Sequence, residues 1–288
     1  MENTNQQANN AKFTRQPRPA KTLSQCQLQN YHQSGYISGI EILSKAELSY
    51  FRHHLMLTCN QLGGNISRFD GAHEIFPWVW QLSTHPAIIH IIRQLIGEDV
   101  LLKSTRFFYK HPNSDSFVGW HQDGFTEQEE SPDVPTIWLG LTPSYAQNGC
   151  LQFIPGSHIK GLLPHPKIPH ANNLTYGGTT AQTVIENAID IEMPAGSMSV
   201  HHPLMVHGSQ ANLSSSPRIG FSASYATPAL QKSISPVARI AGNARLSPAL
   251  NFIYEPKACS TRKAIANYQL VLGHSIRRLK EAEDTSPV

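Results

Sequence analysis

Charge is scarce in this chain. Only 15% of its 288 residues are Asp, Glu, Lys or Arg, and the formal balance is +3. That leaves no basic stripe for a nucleic-acid backbone, and the 4 Trp and 9 Tyr fall in no repeated arrangement that would stack bases. Cysteine is equally sparse. Cys26, Cys59, Cys150 and Cys259 stand far apart with no CxxC pair, which argues against a disulfide scaffold or a zinc ribbon and suits a reducing cytosol. No apolar run is long enough to cross a bilayer. The opening MENTNQQANNAKFTRQPRPAK lacks the apolar core of a secretory signal, and no internal repeat is present. The expectation is a cytoplasmic protein whose partner is a small molecule rather than nucleic acid or membrane. Nothing in the sequence fixes an oligomeric state.

What is present is enough apolar residue, 40% of the chain, for a sizeable core. Residues 1–30 are rich in Gln, Asn and Pro and read as a disordered tail, with Lys12, Arg15, Arg18 and Lys21 as solvated charge. One domain is expected over 31–283. Ser44-Lys45-Ala46-Glu47 has the form of a capping box. Leu48, Phe51, Leu55 and Leu62 follow at helical spacing up to Gly63-Gly64. A second helix is expected over Pro86–Ile96, with Ser83 or Thr84 as its cap and Gly97 at its end, and a third where Ile265, Tyr268, Leu272, Ile276 and Leu279 share a face. Between the helices the pattern changes to strands: Leu101–Lys110, Phe117–His121, Thr136–Thr142, Cys150–Ile154, Ile189–Met193, Ser197–His207 and Arg218–Tyr225. Strands in the middle with helices on either side predict a mainly β fold, a sandwich or jelly roll with flanking helices. The long aperiodic stretch at about 156–188 reads as a lid-like insertion.

Chemistry concentrates in Trp120-His121-Gln122-Asp123. In a strand, residues i and i+2 share a face, so His121 and Asp123 are expected to reach one point inside a barrel. A carboxylate, one histidine and a second histidine from a distant strand form the facial triad of non-haem Fe(II) oxygenases. His207 is the best candidate for that second histidine. Arg218 follows eleven positions later, on the next expected strand, where a guanidinium can pair with the distal carboxylate of 2-oxoglutarate in bidentate fashion. Ser209 can add a hydroxyl. Singly these residues are ordinary: His-x-Asp arises by chance, 15 histidines make a later one cheap, and a lone arginine is most often at the surface. Their order and spacing make the case together.

The run WHQDGF, then Trp138, then NGCLQFIPGSH at Asn148–His158, then HPLMVHGSQANLSSSPR at His202–Arg218, resembles the motifs of the phytanoyl-CoA dioxygenase family in order. Tyr31-His32-Gln33-Ser34-Gly35-Tyr36 is similar to its domain opening. The resemblance covers Leu101–Thr227 clearly and is specific for the family, not for a substrate. It implies a cupin-like double-stranded β-helix, iron ligands at His121, Asp123 and His207, and 2-oxoglutarate contacts at Arg218 and Ser209 with Trp138 beside them. It also implies a tight turn at Asn148-Gly149 and a strand end at Pro155–His158. His202 matches a family position but is expected on the face opposite its neighbour, as a structural residue; His201 is assigned less still, and Cys150 is expected to be a small buried hydrophobe.

The implied cofactors are Fe(II), 2-oxoglutarate and O2, with ascorbate helpful in vitro. The implied reaction is hydroxylation, or oxidative loss of an alkyl group, with release of succinate and CO2. Halogenating relatives carry Ala or Gly in place of the carboxylate, so Asp123 argues against chlorination. The His-Gln-Asp-Gly-Phe stretch is similar to hydroxylases of specialised metabolites, which favours a small natural product or amino-acid derivative. Phe107, Tyr109, Gln122 and Phe125 are expected near the pocket, and Lys160, His165, Lys167 and His170 in the lid are available to an acidic substrate. A cupin-like metal enzyme without 2-oxoglutarate, and an inactive binding member of the family, remain as alternatives.

Overall fold

Ser24 and Ser44 each begin a helix in the same way. The structure, a computed structural model, describes residues 21–64, 67–125, 134–166, 170–174, 187–230, 233, 236–257 and 263–270. Ser24 Oγ accepts from Gln27 N while Gln27 Oε1 accepts from Ser24 N, opening helix α1, Gln25–Ser34. The chain is therefore helical from Gln25 and not an irregular tail up to residue 30; Leu23 is buried, so the polar composition hid an anchor ahead of the expected domain start at Tyr31. Ser44 and Glu47 form the expected capping box at the start of α2, Lys45–Gln61. A helix that sequence pattern missed, α3 at Pro77–Ser83, precedes α4 at Pro86–Ile96. The cap of α4 is His85, whose Nδ1 accepts from Ala87 N; Ser83 instead donates back to the Val79 carbonyl. Residues 263–270 are helical. Lys12, Arg15, Arg18, Lys167, Leu272, Ile276, Leu279 and the Phe125 side chain, all part of the expectations above, lie outside the described residues.

Two antiparallel sheets face one another. The larger runs β1 (Tyr36–Glu41), β8 (Ser197–His201), β5 (Thr136–Gly140), β10 (Arg218–Ala226), β3 (Val100–Lys110) and β11 (Ala238–Ala241), with β2 (Arg68–Asp70) also on β3. The smaller runs β4 (Val118–His121), β9 (His207–Ser209), β6 (Leu151–Phe153) and β7 (Ile189–Ile191). This is the jelly-roll architecture expected. The strand expected over Ser197–His207 is two strands in different sheets. Pro203 has no N–H for a ladder, and Met205 N donates to His202 O across the turn. The chain thus crosses from one sheet to the other between His201 and His207.

Alternation decides what each face does. On the larger sheet, Phe107, Ile137, Leu139, Met198, Val200 and Phe221 pack with the helices into the main core. Their neighbours Lys110, Trp138, Ser199, His201, Arg218 and Gly220 point the other way, towards the smaller sheet. That inner face carries buried polar groups, which cost stability unless something there uses them.

Candidate metal and cosubstrate site

His121 and His207 are cross-strand partners on β4 and β9, and their ring centroids are 4.1 Å apart. Each ring is held by its own strand: His121 Nδ1 lies 2.8 Å from Gly119 O, and His207 Nδ1 lies 2.9 Å from Met205 O. A carbonyl only accepts, so both Nδ1 atoms carry protons and both Nε2 atoms present lone pairs. Those Nε2 atoms sit 3.6 Å and 3.8 Å from one oxygen of Asp123, Oδ1. The three ligand atoms all fall within 4.8 Å of one another. Two neutral imidazole nitrogens and one carboxylate oxygen on one side of a common point suit a divalent iron.

Asp123 differs from expectation in its setting. Strand β4 ends at His121, and Asp123 opens a 3-10 turn, Asp123–Phe125, pinned by Gly124 N donating to Pro203 O. Its second oxygen, Oδ2, is 3.1 Å from His201 Nε2. Burial opposes ionisation of Asp123, but the imidazoles of His207, His121 and His201 around it outweigh it, and the carboxyl titrates well below its usual range. Burial and the neighbouring His121 hold His207 well below its usual value, in the neutral form that a ligand needs. Sequence reasoning underrated His201. The signal lay in parity: Ser197, Ser199 and His201 alternate with apolar Met198 and Val200.

Arg218 opens β10 and is 1% exposed. Its guanidinium lies 4.6 Å from the Trp138 ring centroid, and among the described residues its Nε and Nη2 have no hydrogen-bond partner, nor has Trp138 Nε1. Gly220 makes the stacking possible, because a Cβ there would overlap the indole of Trp138. Ser209, on β9, receives a hydrogen bond from Lys110 Nζ at 2.7 Å. Lys110 was not anticipated. It is wholly buried, pairs in register with Arg218, and also donates to the Gly149 and Gln210 carbonyls. Burial first, then the charge of Arg218, pushes the Lys110 ammonium well below its usual value. With Lys110 Nζ donating to Ser209 Oγ, the hydroxyl keeps its own hydrogen to give. A buried guanidinium with open donors, beside a buried lysine nitrogen, suits a carboxylate-bearing ligand such as 2-oxoglutarate.

Other expected pocket residues lie elsewhere. Phe107 and Tyr109 face the helical layer, because Lys110 takes the inward parity on β3. Gln122 is fully buried; its amide donates to Gly161 O and Leu204 O and accepts from Leu163 N. His165 is buried and its Nε2 accepts from Gln122 N at 2.9 Å, so it braces its own segment against the end of β4 and that nitrogen is not free for substrate. Lys160 is exposed, and His170 packs against Phe117. His202 lies away from the ligands, against Tyr31 and His158. Cys150 is buried, and burial raises its thiol to about 12. The expected tight turn is present: Ala146–Asn148 forms a 3-10 turn closed by Gly149 at φ 72°.

Residues 40–220 match the family profile of phytanoyl-CoA dioxygenase. The chain belongs to the phytanoyl-CoA dioxygenase family. With that family it stands among the 2-oxoglutarate-dependent non-haem iron dioxygenases. It is 25% identical over 240 residues to a probable phytanoyl-CoA dioxygenase of Caenorhabditis elegans, covering 73% of this chain and 77% of that one. The non-haem monooxygenase ThoJ superposes with a TM-score of 0.76 at 22% identity, over 90% of this chain and 99% of that one. The α-ketoglutarate-dependent carbocyclase SnoK of nogalamycin biosynthesis does so at 0.62 and 22% identity, over 83% and 97%. At those identities the structural likeness concerns the fold. No described helix is long and apolar enough to cross a membrane.

Proposed function

We propose that this chain hydroxylates, or oxidatively dealkylates, a small specialised metabolite or amino-acid derivative. His121, Asp123 and His207 hold Fe(II), and Arg218, Ser209 and Trp138 hold the cosubstrate. The overall change balances as substrate C–H plus 2-oxoglutarate plus O2 giving substrate C–OH plus succinate plus CO2. The observation that carries the reading is Arg218, buried and stacked on Trp138 with two unpartnered nitrogens. A metal enzyme with no 2-oxo acid would have no use for it.

The iron, when bound, supplies activation of dioxygen. The chain's own residues do the rest. The Nδ1 hydrogen bonds to Gly119 and Met205 fix both histidine tautomers. Arg218 pairs with the distal carboxylate, Lys110 turns Ser209 into a donor for it, and Trp138 covers the guanidinium from water. Gln122 ties the segment 161–163 to the strand end that carries the ligands, which keeps the wall of the site close to the chemistry. A specialised metabolite is favoured over an acyl-CoA by the WHQDGF stretch.

The test is succinate release on adding Fe(II), ascorbate and 2-oxoglutarate to the purified chain, followed by a metabolite screen for gain of one oxygen mass. Absence of succinate with iron bound would overturn the 2-oxoglutarate reading. Gain of oxygen only on an acyl-CoA would overturn the substrate class.

A further inference from the structure

We infer that His201 is a positioning residue for the carboxylate ligand: it holds Asp123 so that one oxygen, Oδ1, is presented to the metal. This rests on the reading that His121, Asp123 and His207 hold the iron. His201 ends β8 in the larger sheet, while both candidate histidine ligands come from the smaller one. Its Nε2 lies 3.1 Å from Asp123 Oδ2, and its side chain is 3% exposed. Phe153 and His207 flank its ring, at 5.1 Å and 4.5 Å between centroids, so packing aims Nε2 at the carboxylate.

The two oxygens of Asp123 are thereby separated by task. Oδ1 is the one near both His121 and His207 Nε2; Oδ2 is turned to His201. A carboxylate only accepts, so His201 Nε2 must be the donor. Its Nδ1 is then a lone pair in the neutral ring, and that atom has no hydrogen-bond partner among the described residues. His201 is not itself in the group whose ligand atoms lie within 4.8 Å of one another.

The arrangement completes a pattern. The two histidine ligands are each held by a backbone carbonyl of their own strand. Asp123 lies beyond the strand end in a 3-10 turn, where no sheet ladder fixes it. A side chain reaching across from the other sheet does for it what the strands do for the histidines. Because β8 and β4 belong to different sheets, the bond also ties the sheets together at the metal.

The experiment is an anaerobic titration of the full chain with Co(II) and Fe(II), followed by calorimetry and by the Co(II) absorption spectrum, with the apo unfolding midpoint measured alongside. His201→Phe keeps the ring and removes the donor; His201→Gln restores an N–H near the Nε2 position; Asp123→Ala controls for the ligand itself. Expected are metal affinity about 10- to 100-fold weaker for His201→Phe, an altered Co(II) spectrum, near-native binding for His201→Gln, and apo midpoints close to the unmodified chain. If His201→Phe fails to fold, His201→Asn, whose amide stops short of Oδ2, takes its place with the same expectation. Unchanged affinity and spectrum in the donor-less variant overturn the inference, as does equal loss in the Phe and Gln variants, which would make ring shape the cause. If instead Asp123→Ala binds metal as well as the unmodified chain, it is the ligand assignment that fails.

Discussion

Arg218 and Lys110 are expensive residues. Each is a basic group sealed inside the barrel, and neither has a carboxylate among the groups that set its titration. Burial alone brings the Arg218 guanidinium down to about 10. Removing one partner of a buried charge pair typically costs about 3–5 kcal/mol, so Arg218→Ala should raise the Michaelis constant for 2-oxoglutarate by on the order of 100-fold or more. Kinetics at fixed iron and varied 2-oxoglutarate check this, and an unchanged constant would move the carboxylate site elsewhere. Lys110→Met should act in the same direction and more weakly, since it frees the Ser209 hydroxyl to turn away. At Asp123 the prediction is one of outcome. In the proposed ligand set its oxygen takes the position that a halide would need, so chloride added to the assay should leave the product unchanged by mass spectrometry.

At the scale of elements, the capping box of α2 carries a pH dependence. Burial raises the Glu47 carboxyl, but the Ser44 hydrogen bonds and His85 outweigh it, so it titrates below its usual range. A group with a depressed folded value lends stability above its unfolded value, near 4.3, and loses it as pH falls through the folded value. Glu47→Ala should therefore cost about 1 kcal/mol at neutral pH, with the difference from the unmodified chain closing below roughly pH 4 in urea unfolding. Strand β10 offers a second test. Gly220 lies opposite Phe108 and Gly140, under the Trp138 indole. Gly220→Ala should displace that ring and cost about 1–3 kcal/mol of overpacking, read as weaker 2-oxoglutarate binding as well as a lower melting temperature.

These elements also mark what sequence could carry. The capping box of α2 and the long strands β3 and β10 follow local rules and stood where expected, and the fold brings His121, Asp123 and His207 within 4.8 Å of one another. Parity on β3 did not follow, because Arg106-Phe107-Phe108-Tyr109-Lys110 puts bulky side chains on both faces. The inward choice falls on a lysine that local pattern would send to solvent. The break at Pro203 was hidden by apolar residues on both sides, and His201 gained its role only when that break brought two sheets to one point. Short strands such as β2 and β11 exist by pairing with β3, a non-local cause with no local signature.

For the whole molecule, the site sets a conflict between stability and function. The folded barrel holds a guanidinium and a neighbouring lysine nitrogen away from water, and the unfolded chain does not. A ligand that binds only the folded state raises its stability by mass action, about 2.7 kcal/mol at a hundred times its dissociation constant. For a chain of this size that is a rise of roughly 5–10 °C in melting temperature. We expect 2-oxoglutarate to produce such a rise, with Ni(II) in place of iron to prevent turnover, and the metal alone to produce a smaller one. Arg218→Met separates the two contributions. It fills the space beside Trp138 without a charge, and replacing a buried ion with an apolar side chain of like volume is often neutral or stabilising. Its ligand-free melting temperature should therefore match or exceed that of the unmodified chain, while the 2-oxoglutarate increment disappears and the Ni(II) increment remains. His207→Ala should show the converse, losing the Ni(II) increment. A 2-oxoglutarate increment that survives in Arg218→Met would place the anion elsewhere and leave the buried basic groups of this barrel without a purpose. A large loss of ligand-free stability in the same variant would instead mean that Arg218 supports the fold, and that the barrel tolerates its charge for structural reasons and not for a cosubstrate.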